Sequence, residues 1–437
     1  DGKVEVEGED FPHDRMSLLS LIKSCRKGKN LQKARRIHAH MILDHRDSIS
    51  RDAHIATTLI TTYAKCGALE EATHLFNHLP LRDVVSWNAL IGGYALHDCG
   101  EEALYLLQQM KLEGVFSNAT TYTCGLKACG SIGATGKGLQ IHFAIINWGF
   151  LKKSIVLGTA LVDMYAKCGL LAKAQQVLEE LPVRDIVSWS ALITGYAHGG
   201  QGHEALECFA QMQREGHFPT DVTFICALKA CGSIGAIDNG KQIHDQIVNW
   251  GLLDKSIMVG NVLVDMYAKC GVLAEARLVL EALPVRDVVS WNALIAGYAL
   301  QGHGREALTS FERMQSEGFF PNKLTCLSVL NACSHSGLLE EAQKIFGDMN
   351  KKYGISPNIE HQICMVITYG NAGHFDKAMS VIKSLPISDS LGAWLSLLCA
   401  CRKWGNVEVA KVAFAQAVEL DSNCGAAYVL MANVFAA

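Results

Sequence analysis

The sequence predicts an all-α protein, a right-handed superhelical solenoid of tandem helix–turn–helix repeats. Near-copies of the phrase Val-Val-Ser-Trp-Asn-Ala-Leu-Ile recur every 102 residues, with their tryptophans at Trp87, Trp189 and Trp291. The phrase Tyr-Ala-Lys-Cys-Gly keeps the same interval, with its tyrosines at Tyr63, Tyr165 and Tyr267. Each period divides into units of about 35, 36 and 31 residues, and hairpins of this length bury their apolar surface by stacking on their neighbours.

The short units show the predicted helices most clearly. In residues 53–83, apolar side chains recur at helical spacing from Ile55 to Cys66, and Gly67 interrupts the pattern. A second amphipathic segment then runs from Leu69 to Leu79 and is closed by Pro80. The same pattern returns in residues 155–185 and 257–287.

The other units follow the same plan at greater length. The 35-residue units are 84–118, 186–220 and 288–322, and the long units are 119–154, 221–256 and 323–358. A related unit begins near Arg15, so the array contains eleven units over residues 15–390, and residues 391–437 form a different segment. The serines of the repeated phrase are predicted to be N-caps of the first helices, at Ser86, Ser188 and Ser290.

Charge and composition exclude several classes of protein. Six of the 43 acidic residues lie in residues 1–14, a segment predicted to be disordered, and from residue 15 onward 38 basic residues face 37 acidic ones. This balance does not favour non-specific nucleic-acid binding, so any nucleic acid must be held largely by contacts other than overall charge. No run of 18 apolar residues occurs, which predicts no membrane span.

The sixteen cysteines are predicted to be packing residues in a reducing compartment. They recur at fixed repeat positions, as in the series Cys66, Cys168 and Cys270 and the series Cys25, Cys129, Cys231 and Cys333. No Cys-x-x-Cys motif occurs, and the spacing of Cys399 and Cys401 does not suit zinc. No metal or other cofactor is implied.

The repeated phrases, with Leu-Lys-Ala-Cys-Gly-Ser-Ile-Gly-Ala and Asp-Met-Tyr-Ala-Lys-Cys-Gly, resemble the pentatricopeptide repeat family of plant organelles. The alternation of unit lengths resembles its class with standard, long and short motifs. After Ser390, the segment around Trp394 and Gly405 resembles the truncated start of the E-type extension found in RNA-editing members. The resemblance implies a protein of mitochondria or chloroplasts that binds single-stranded RNA, one nucleotide per repeat, to specify cytidine-to-uridine editing.

Small polar residues vary on a nearly constant scaffold at two positions of each unit. These are the fifth residue of the unit and its last residue, which we call the recognition pair. The pairs are Thr57 with Asp83, Asn88 with Asn118, Thr159 with Asp185, Ser190 with Thr220, Asn261 with Asp287, and Asn292 with Asn322. Such variation suits a face that recognises a ligand. The alternative is a solvated fifth residue and a last residue that merely caps the next helix.

Donor and acceptor chemistry predicts a base for each pair. Aspartate only accepts hydrogen bonds, so it favours the imino N–H of uracil or guanine, whereas asparagine also donates to cytosine or adenine. A short Ser or Thr leaves room for a purine, and Asn reaches a pyrimidine. The family's two-residue code, as the resemblance implies it, has the same form. With the first long unit at the 5′ end, the expected RNA is N-G-Y-N-G-R-N-U-Y-N-N.

Other positions supply less specific contacts in this interpretation. The second residue of each 35-residue unit could sandwich the bases: Val85, Val187 and Val289. Lysines near the end of the first helix of the short units could meet phosphates, or could equally be solvated: Lys65, Lys167 and Lys269. The fifth residues of the long units are mostly apolar, so these units are predicted to be spacers or docking surfaces: Leu19, Thr123, Ile225 and Leu327.

The chain carries no signature of a zinc deaminase. None of its seventeen histidines is followed two residues later by Glu, so we expect a binding protein and not an enzyme. The expected partners are organellar RNA, editing accessory proteins, and a deaminase that lies beyond residue 437 or belongs to another chain. Two alternatives stay open: a factor for RNA stability, processing or cleavage with the same array, and a tetratricopeptide-like protein scaffold.

Overall fold

The computed structural model describes residues 15–43, 53–151, 154–386 and 390–436, and the acidic segment 1–14 lies outside these ranges. The described residues form 25 α-helices and no strand. The chain divides into two compact units, Asp1–Pro219 and Thr220–Ala437.

The first unit is a stack of helical hairpins in chain order. The first helix of each hairpin packs against the first helix of the next hairpin. Each second helix packs against the first helix of its own hairpin. Its helices are Arg15–Lys27, Leu31–Leu43, Ala53–Lys65, Leu69–Asn77, Val84–Leu96, Gly100–Leu112, Ala119–Ile132, Thr135–Asn147, Ile155–Lys167, Leu171–Glu180, Ile186–His198 and Gly202–Arg214.

The second unit has the same organisation. Successive first helices are again in contact, so the core of the unit runs along the row of first helices. Its helices are Asp221–Ile234, Ile237–Asn249, Ile257–Lys269, Leu273–Ala282, Val288–Leu300, Gly304–Ser316, Lys323–Ser336, Leu339–Lys351, Ile359–Asn371, Phe375–Lys383, Leu391–Trp404, Val407–Leu420 and Gly425–Ala436.

Small residues let neighbouring first helices approach closely. A Cβ atom built on Gly297 would lie 2.5 Å from the Cβ of Ala268 in the preceding first helix. Gly195 faces Ala166 in the same way, at 2.7 Å. These two glycines, each two residues after the repeated phrase, therefore set the spacing of the stack, because any side chain there would force the helices apart.

Histidine–tyrosine hydrogen bonds join three of the four long repeats to the short repeat that follows, and Gln343 takes the place of the histidine in the fourth. In each of the three the Nδ1 atom of a histidine on the second helix of the long repeat meets the hydroxyl of the repeated tyrosine: His38 with Tyr63 at 3.0 Å, His142 with Tyr165 at 2.7 Å, and His244 with Tyr267 at 2.9 Å. Burial lowers the pKa of all three histidines, which favours the neutral imidazole.

The predicted serine N-caps are wrong, because the preceding aspartate takes that position. The carboxylate of Asp185 accepts a hydrogen bond from the backbone N–H of Ser188 at 2.8 Å, and the Ser188 hydroxyl accepts one from the Asp185 N–H at 3.1 Å. Asp287 and Ser290 form the same capping box, and Asp83 caps its helix through Ser86. The serine is the third residue of each helix, and the hydroxyls of Ser188 and Ser290 complete the box.

The cysteines are free thiols, and all sixteen lie in the described residues. Burial raises the pKa of the Cys129 and Cys231 thiols to about 12, as expected for packing residues that stay protonated. No helix in the described ranges is long and apolar enough to cross a bilayer.

Residues after Ser390 continue the stack. Trp394, Leu397 and Leu398 pack with Val366 and Ile382 of the preceding hairpin into one hydrophobic cluster. The segment that departs from the repeat sequence therefore keeps the helical-hairpin geometry and shares its core with the array.

Candidate nucleic-acid interface

The structure brings together the two residues of a recognition pair, although they are far apart in sequence. The last residue of a repeat caps the next first helix, and this places it beside the fifth residue of the first helix before. Asn261 Nδ2 donates to both carboxylate oxygens of Asp287 at 3.1 Å, and Thr159 Oγ1 donates to Asp185 Oδ1 at 3.3 Å. Each pair spans 26 residues of sequence.

The asparagine–asparagine pairs have the same geometry. Asn88 Nδ2 donates to Asn118 Oδ1 at 3.1 Å, and Asn292 Nδ2 donates to Asn322 Oδ1 at 3.3 Å. Four of the six predicted pairs are therefore hydrogen-bonded units, each with a donor side chain on one helix and an acceptor at the start of the next.

Capping holds the acceptor of each pair in place. Asp287 Oδ1 accepts the backbone N–H of Ser290 at 2.9 Å, and Asn322 Oδ1 accepts that of Thr325 at 2.9 Å. The last residue therefore both caps a helix and belongs to a recognition pair. A capped side chain has one orientation, so its remaining hydrogen-bonding capacity is preorganised toward a ligand.

The alternative of a solvated fifth residue is wrong for four repeats. Thr57, Thr159, Asn261 and Asn292 are all between 5% and 9% exposed. The last residues Asp83, Asn118 and Asn322 are exposed, and Asp185 and Asp287 are half-buried. A ligand would therefore reach the last residue more easily than the buried fifth residue, and the fifth residue would limit the size of the base that fits.

In two of the pairs, a buried side-chain oxygen receives no hydrogen bond from any described residue. Asn88 Oδ1 and Asn261 Oδ1 are shielded from solvent and accept no hydrogen bond within the described ranges. In contrast, Asn292 Oδ1 accepts a hydrogen bond from Thr325 Oγ1 at 2.6 Å. A buried polar atom without a partner is costly, so Asn88 and Asn261 have unused hydrogen-bonding capacity that a ligand can satisfy.

The other two predicted pairs differ. Thr57 Oγ1 donates to its own helix at Ala53 O, 2.6 Å away, and no hydrogen bond joins it to Asp83 in the described structure. Ser190 Oγ likewise donates to Ile186 O at 2.6 Å, and Thr220 belongs to the second compact unit. A hydroxyl bonded to the carbonyl four residues earlier remains available as an acceptor.

A row of exposed apolar side chains accompanies the pairs. Val85, Val187 and Val289 are 57%, 58% and 57% exposed, as sandwiching residues would need to be. Sequence reasoning overlooked the same position in other repeats, where exposed apolar residues also occur: Met16, Val156, Val222, Met258 and Leu324. Aligning all first helices at their first residue would have found them.

The lysines predicted to meet phosphates do not behave alike. Lys167 Nζ lies 2.8 Å from Asp163 Oδ2, and Lys269 Nζ lies 2.7 Å from Asp265 Oδ2, both within one helix. These pairs favour the solvated, helix-stabilising role for the two lysines. Lys65 is exposed, and it has no ion-pair partner among the described residues.

The long repeats lack a recognition pair of this kind. Leu19 is buried, Ile225 and Leu327 are half-buried, and Thr123 Oγ1 donates to its own helix at Ala119 O. Apolar side chains offer no hydrogen bond to a base edge, so the repeats with Leu19, Ile225 and Leu327 cannot discriminate bases through the fifth residue. The Thr123 hydroxyl keeps an acceptor, as the Thr57 hydroxyl does.

Family models match most of the array. The model described as PPR repeat family matches residues 82–131, 184–233 and 286–335. The model described as Pentatricopeptide repeat domain matches residues 311–371, and the PPR repeat model matches residues 55–84 and 159–186.

Proteins of Arabidopsis thaliana are similar over nearly the whole chain. Pentatricopeptide repeat-containing protein CRR2, chloroplastic, is 39% identical over 99% of this chain, which spans 66% of that protein. A mitochondrial pentatricopeptide repeat-containing protein is 34% identical over 97% of this chain, which spans 75% of it. The names of these relatives confirm the predicted organellar localisation.

Solved structures share the fold. The pentatricopeptide repeat protein PPR10 in complex with an 18-nt psaJ RNA element matches with a TM-score of 0.71 at 17% identity, covering 97% of this chain and 69% of that chain. PPR10 from maize in another crystal structure matches at 0.54 with 21% identity, covering 97% and 66%. These similarities confirm the predicted all-α repeat fold.

Proposed function

We propose a function from one premise: this chain belongs to the pentatricopeptide repeat family. The proposal is that it binds single-stranded RNA of a plant organelle in a sequence-specific manner, one nucleotide per repeat. The relative whose structure contains an 18-nt RNA element has the same fold.

The observation that carries the proposal is the hydrogen-bonded recognition pair. A base seated between exposed second residues of consecutive repeats would present its edge to the pair. Asp287 would then accept the imino proton of uracil, and the unused Oδ1 of Asn261 would accept a hydrogen bond from a bridging water. An aliphatic sandwich is weaker than an aromatic one, so affinity should depend on many repeats acting together.

Binding to designed oligonucleotides tests this function. We expect the purified chain to bind RNA of the form N-G-Y-N-G-R-N-U-Y-N-N, measured by fluorescence anisotropy at a fixed salt concentration. Replacing either G or the U should weaken binding by roughly 1–3 kcal/mol per position, the range for a good base contact in the DNA case. Equal affinity for the designed RNA and a shuffled RNA of the same composition would contradict sequence-specific recognition.

We further propose that the bound RNA contains a cytidine destined for editing to uridine. The segment after Ser390 supports this proposal, because it resembles the extension of editing members and packs onto the last repeats. In plants without this protein, sequencing of organellar transcripts should find one or a few unedited cytidines. Altered transcript ends with complete editing would instead support the alternative of a processing or stability factor.

The chain itself is proposed to bind and not to catalyse. Zinc deaminases of nucleobases need His-x-Glu and Cys-x-x-Cys motifs, and neither occurs in this sequence. A deaminase would have to come from a further domain or from another protein. The purified 437-residue chain, incubated with a bound cytidine-containing RNA and zinc, should produce no uridine. Conversion by the chain alone would overturn this assignment.

A further inference from the structure

The near-neutral charge of the array hides a strongly basic first hairpin. Residues 15–43 contain eight lysine or arginine residues and no aspartate or glutamate. The residues from 44 onward contain 30 basic and 37 acidic side chains. The positive charge of the array is therefore concentrated at its first repeat, where it creates a local field that attracts anions.

Several of these cations lie on the helix face that carries the second and fifth residues. At 100° per residue, Met16, Lys23 and Lys27 lie within about 40° of one another around helix Arg15–Lys27. They line a cavity of about 660 Å³ together with Arg26 and with His54, the second residue of the next first helix. Met16, the second residue of the first helix, is 75% exposed.

No other described first helix carries a cation at both equivalent positions. Lys23 and Lys27 are the ninth and thirteenth residues of their helix. Two short-repeat helices carry an Asp–Lys pair there, and a third has Thr61 and Lys65. Asp163 bonds to Lys167 at 2.8 Å, and Asp265 bonds to Lys269 at 2.7 Å. The first helix instead places two like charges four residues apart, which destabilises a helix unless an anion lies between them. No described residue forms an ion pair with Lys23 or Lys27.

We propose that the hairpin 15–43 is a phosphate anchor, which holds the sugar–phosphate backbone of single-stranded RNA without recognising its bases. The proposal rests on the RNA-binding function proposed above and extends it to a repeat that has no recognition pair. Leu19, its fifth residue, is buried and apolar, so base recognition is absent where the cations are concentrated. Continuity with the row of second residues favours RNA over an acidic protein as the occupant.

The salt dependence of RNA binding tests the anchor. The logarithm of the affinity for single-stranded nucleic acid falls linearly with the logarithm of the salt concentration. Each phosphate contacted adds about 0.7 to the steepness of this slope. The variant Lys23→Gln/Lys27→Gln should lower the slope of log affinity against log salt by about 1.4 if each lysine meets one phosphate. Its loss of affinity relative to the wild type should therefore shrink about sevenfold between 50 and 200 mM salt. Its preference for G opposite Thr159 should not change.

A matched control removes the same charge elsewhere. The variant Lys167→Gln/Lys269→Gln loses two lysines that aspartates already neutralise, so any long-range attraction is weakened equally in both variants. We expect its salt slope to stay within experimental error of the wild type. Equal slopes for the two double variants would overturn the anchor, even if the wild type binds its designed RNA with the expected base preference.

A second substitution separates binding from folding. Lys23→Asp recreates the Asp–Lys spacing of the short repeats, so it should raise or preserve the melting temperature while it weakens RNA binding more than Lys23→Gln does. Removing two nucleotides from the 5′ end of the designed RNA should weaken binding to the wild type and have little effect on this variant. An equal effect on both proteins would also refute the anchor. Absence of any base preference in the wild type would instead refute the proposed function.

Discussion

Exchanging the fifth residues of two short repeats should exchange their base preferences. Thr159 and Asn261 occupy equivalent positions in helices of nearly the same sequence, and they are 9% and 7% exposed. Each is hydrogen-bonded to an aspartate that caps the next first helix, Asp185 or Asp287. The aspartate, the cap and the burial therefore stay constant in the exchange, and the size and chemistry of the fifth residue change.

The expected shift follows from these contacts. In Thr159→Asn, the amide can donate to both oxygens of Asp185, as Asn261 does to Asp287 at 3.1 Å. The aspartate still accepts an imino proton, but the longer side chain now occupies space that a purine needs. Preference at the nucleotide opposite this repeat should move from G to U. A base contact of roughly 1–3 kcal/mol corresponds to a change in relative affinity of about tenfold or more.

Paired oligonucleotides that differ at this one base provide the assay, with anisotropy titrations at one salt concentration. The reverse variant, Asn261→Thr, should move the preference at its own nucleotide from U to G. Melting temperatures should change little, because each new side chain keeps a hydrogen-bonding partner. An unchanged G preference in a folded Thr159→Asn variant would show that this position does not contact the base.

Three further outcomes are expected. Gly297→Ala should destabilise the protein by about 1–3 kcal/mol in urea unfolding, because its Cβ would press on the preceding helix, whereas Gly347→Ala, with open space around it, should stabilise by about 0.5–1 kcal/mol. Asp287→Ala should cost about 1 kcal/mol of cap energy, whereas Asp287→Asn should keep the cap and move the preference of its repeat from U toward C. Burial lowers the pKa of His142 beside Tyr165, so its contribution to stability is complete above pH 6.5 and is lost as the pH falls further. The melting temperature of His142→Gln should therefore fall less than that of the wild type between pH 7 and 5, and parallel curves would contradict this assignment.

Much of the fold and part of the site could be predicted from periodicity. First helices begin at Ala53, Ile155 and Ile257, where the short repeats begin in the sequence. Recognition pairs such as Asn261 with Asp287 were predicted because polar residues vary there on a constant scaffold. Periodicity carries this information because stacked repeats place equivalent residues in equivalent surroundings.

Some side-chain roles could not be predicted from the sequence, even where the residues are close along the chain. Asp185 and Ser188 are three residues apart, and aspartate and serine are both common N-cap residues. To choose between them, one must know at which residue the helix starts. Whether Lys167 is free to meet a phosphate depends on its side-chain conformation, which places its ammonium group against Asp163. Helical spacing places Lys23 and Lys27 beside Met16, but only the packing of two helices shows that His54 of the next repeat lines the same cavity.

The sequence by itself determined the number, length and order of the hairpins, because helical spacing and repeat phrases are local properties of the chain. Only the tertiary structure decided that Asn261 is buried and bonded to Asp287, 26 residues away, while the hydroxyl of Thr57 turns back to its own helix. Burial and pairing depend on how closely one first helix packs on the next. That spacing results from side chains such as Gly297 and Ala268 meeting across the stack.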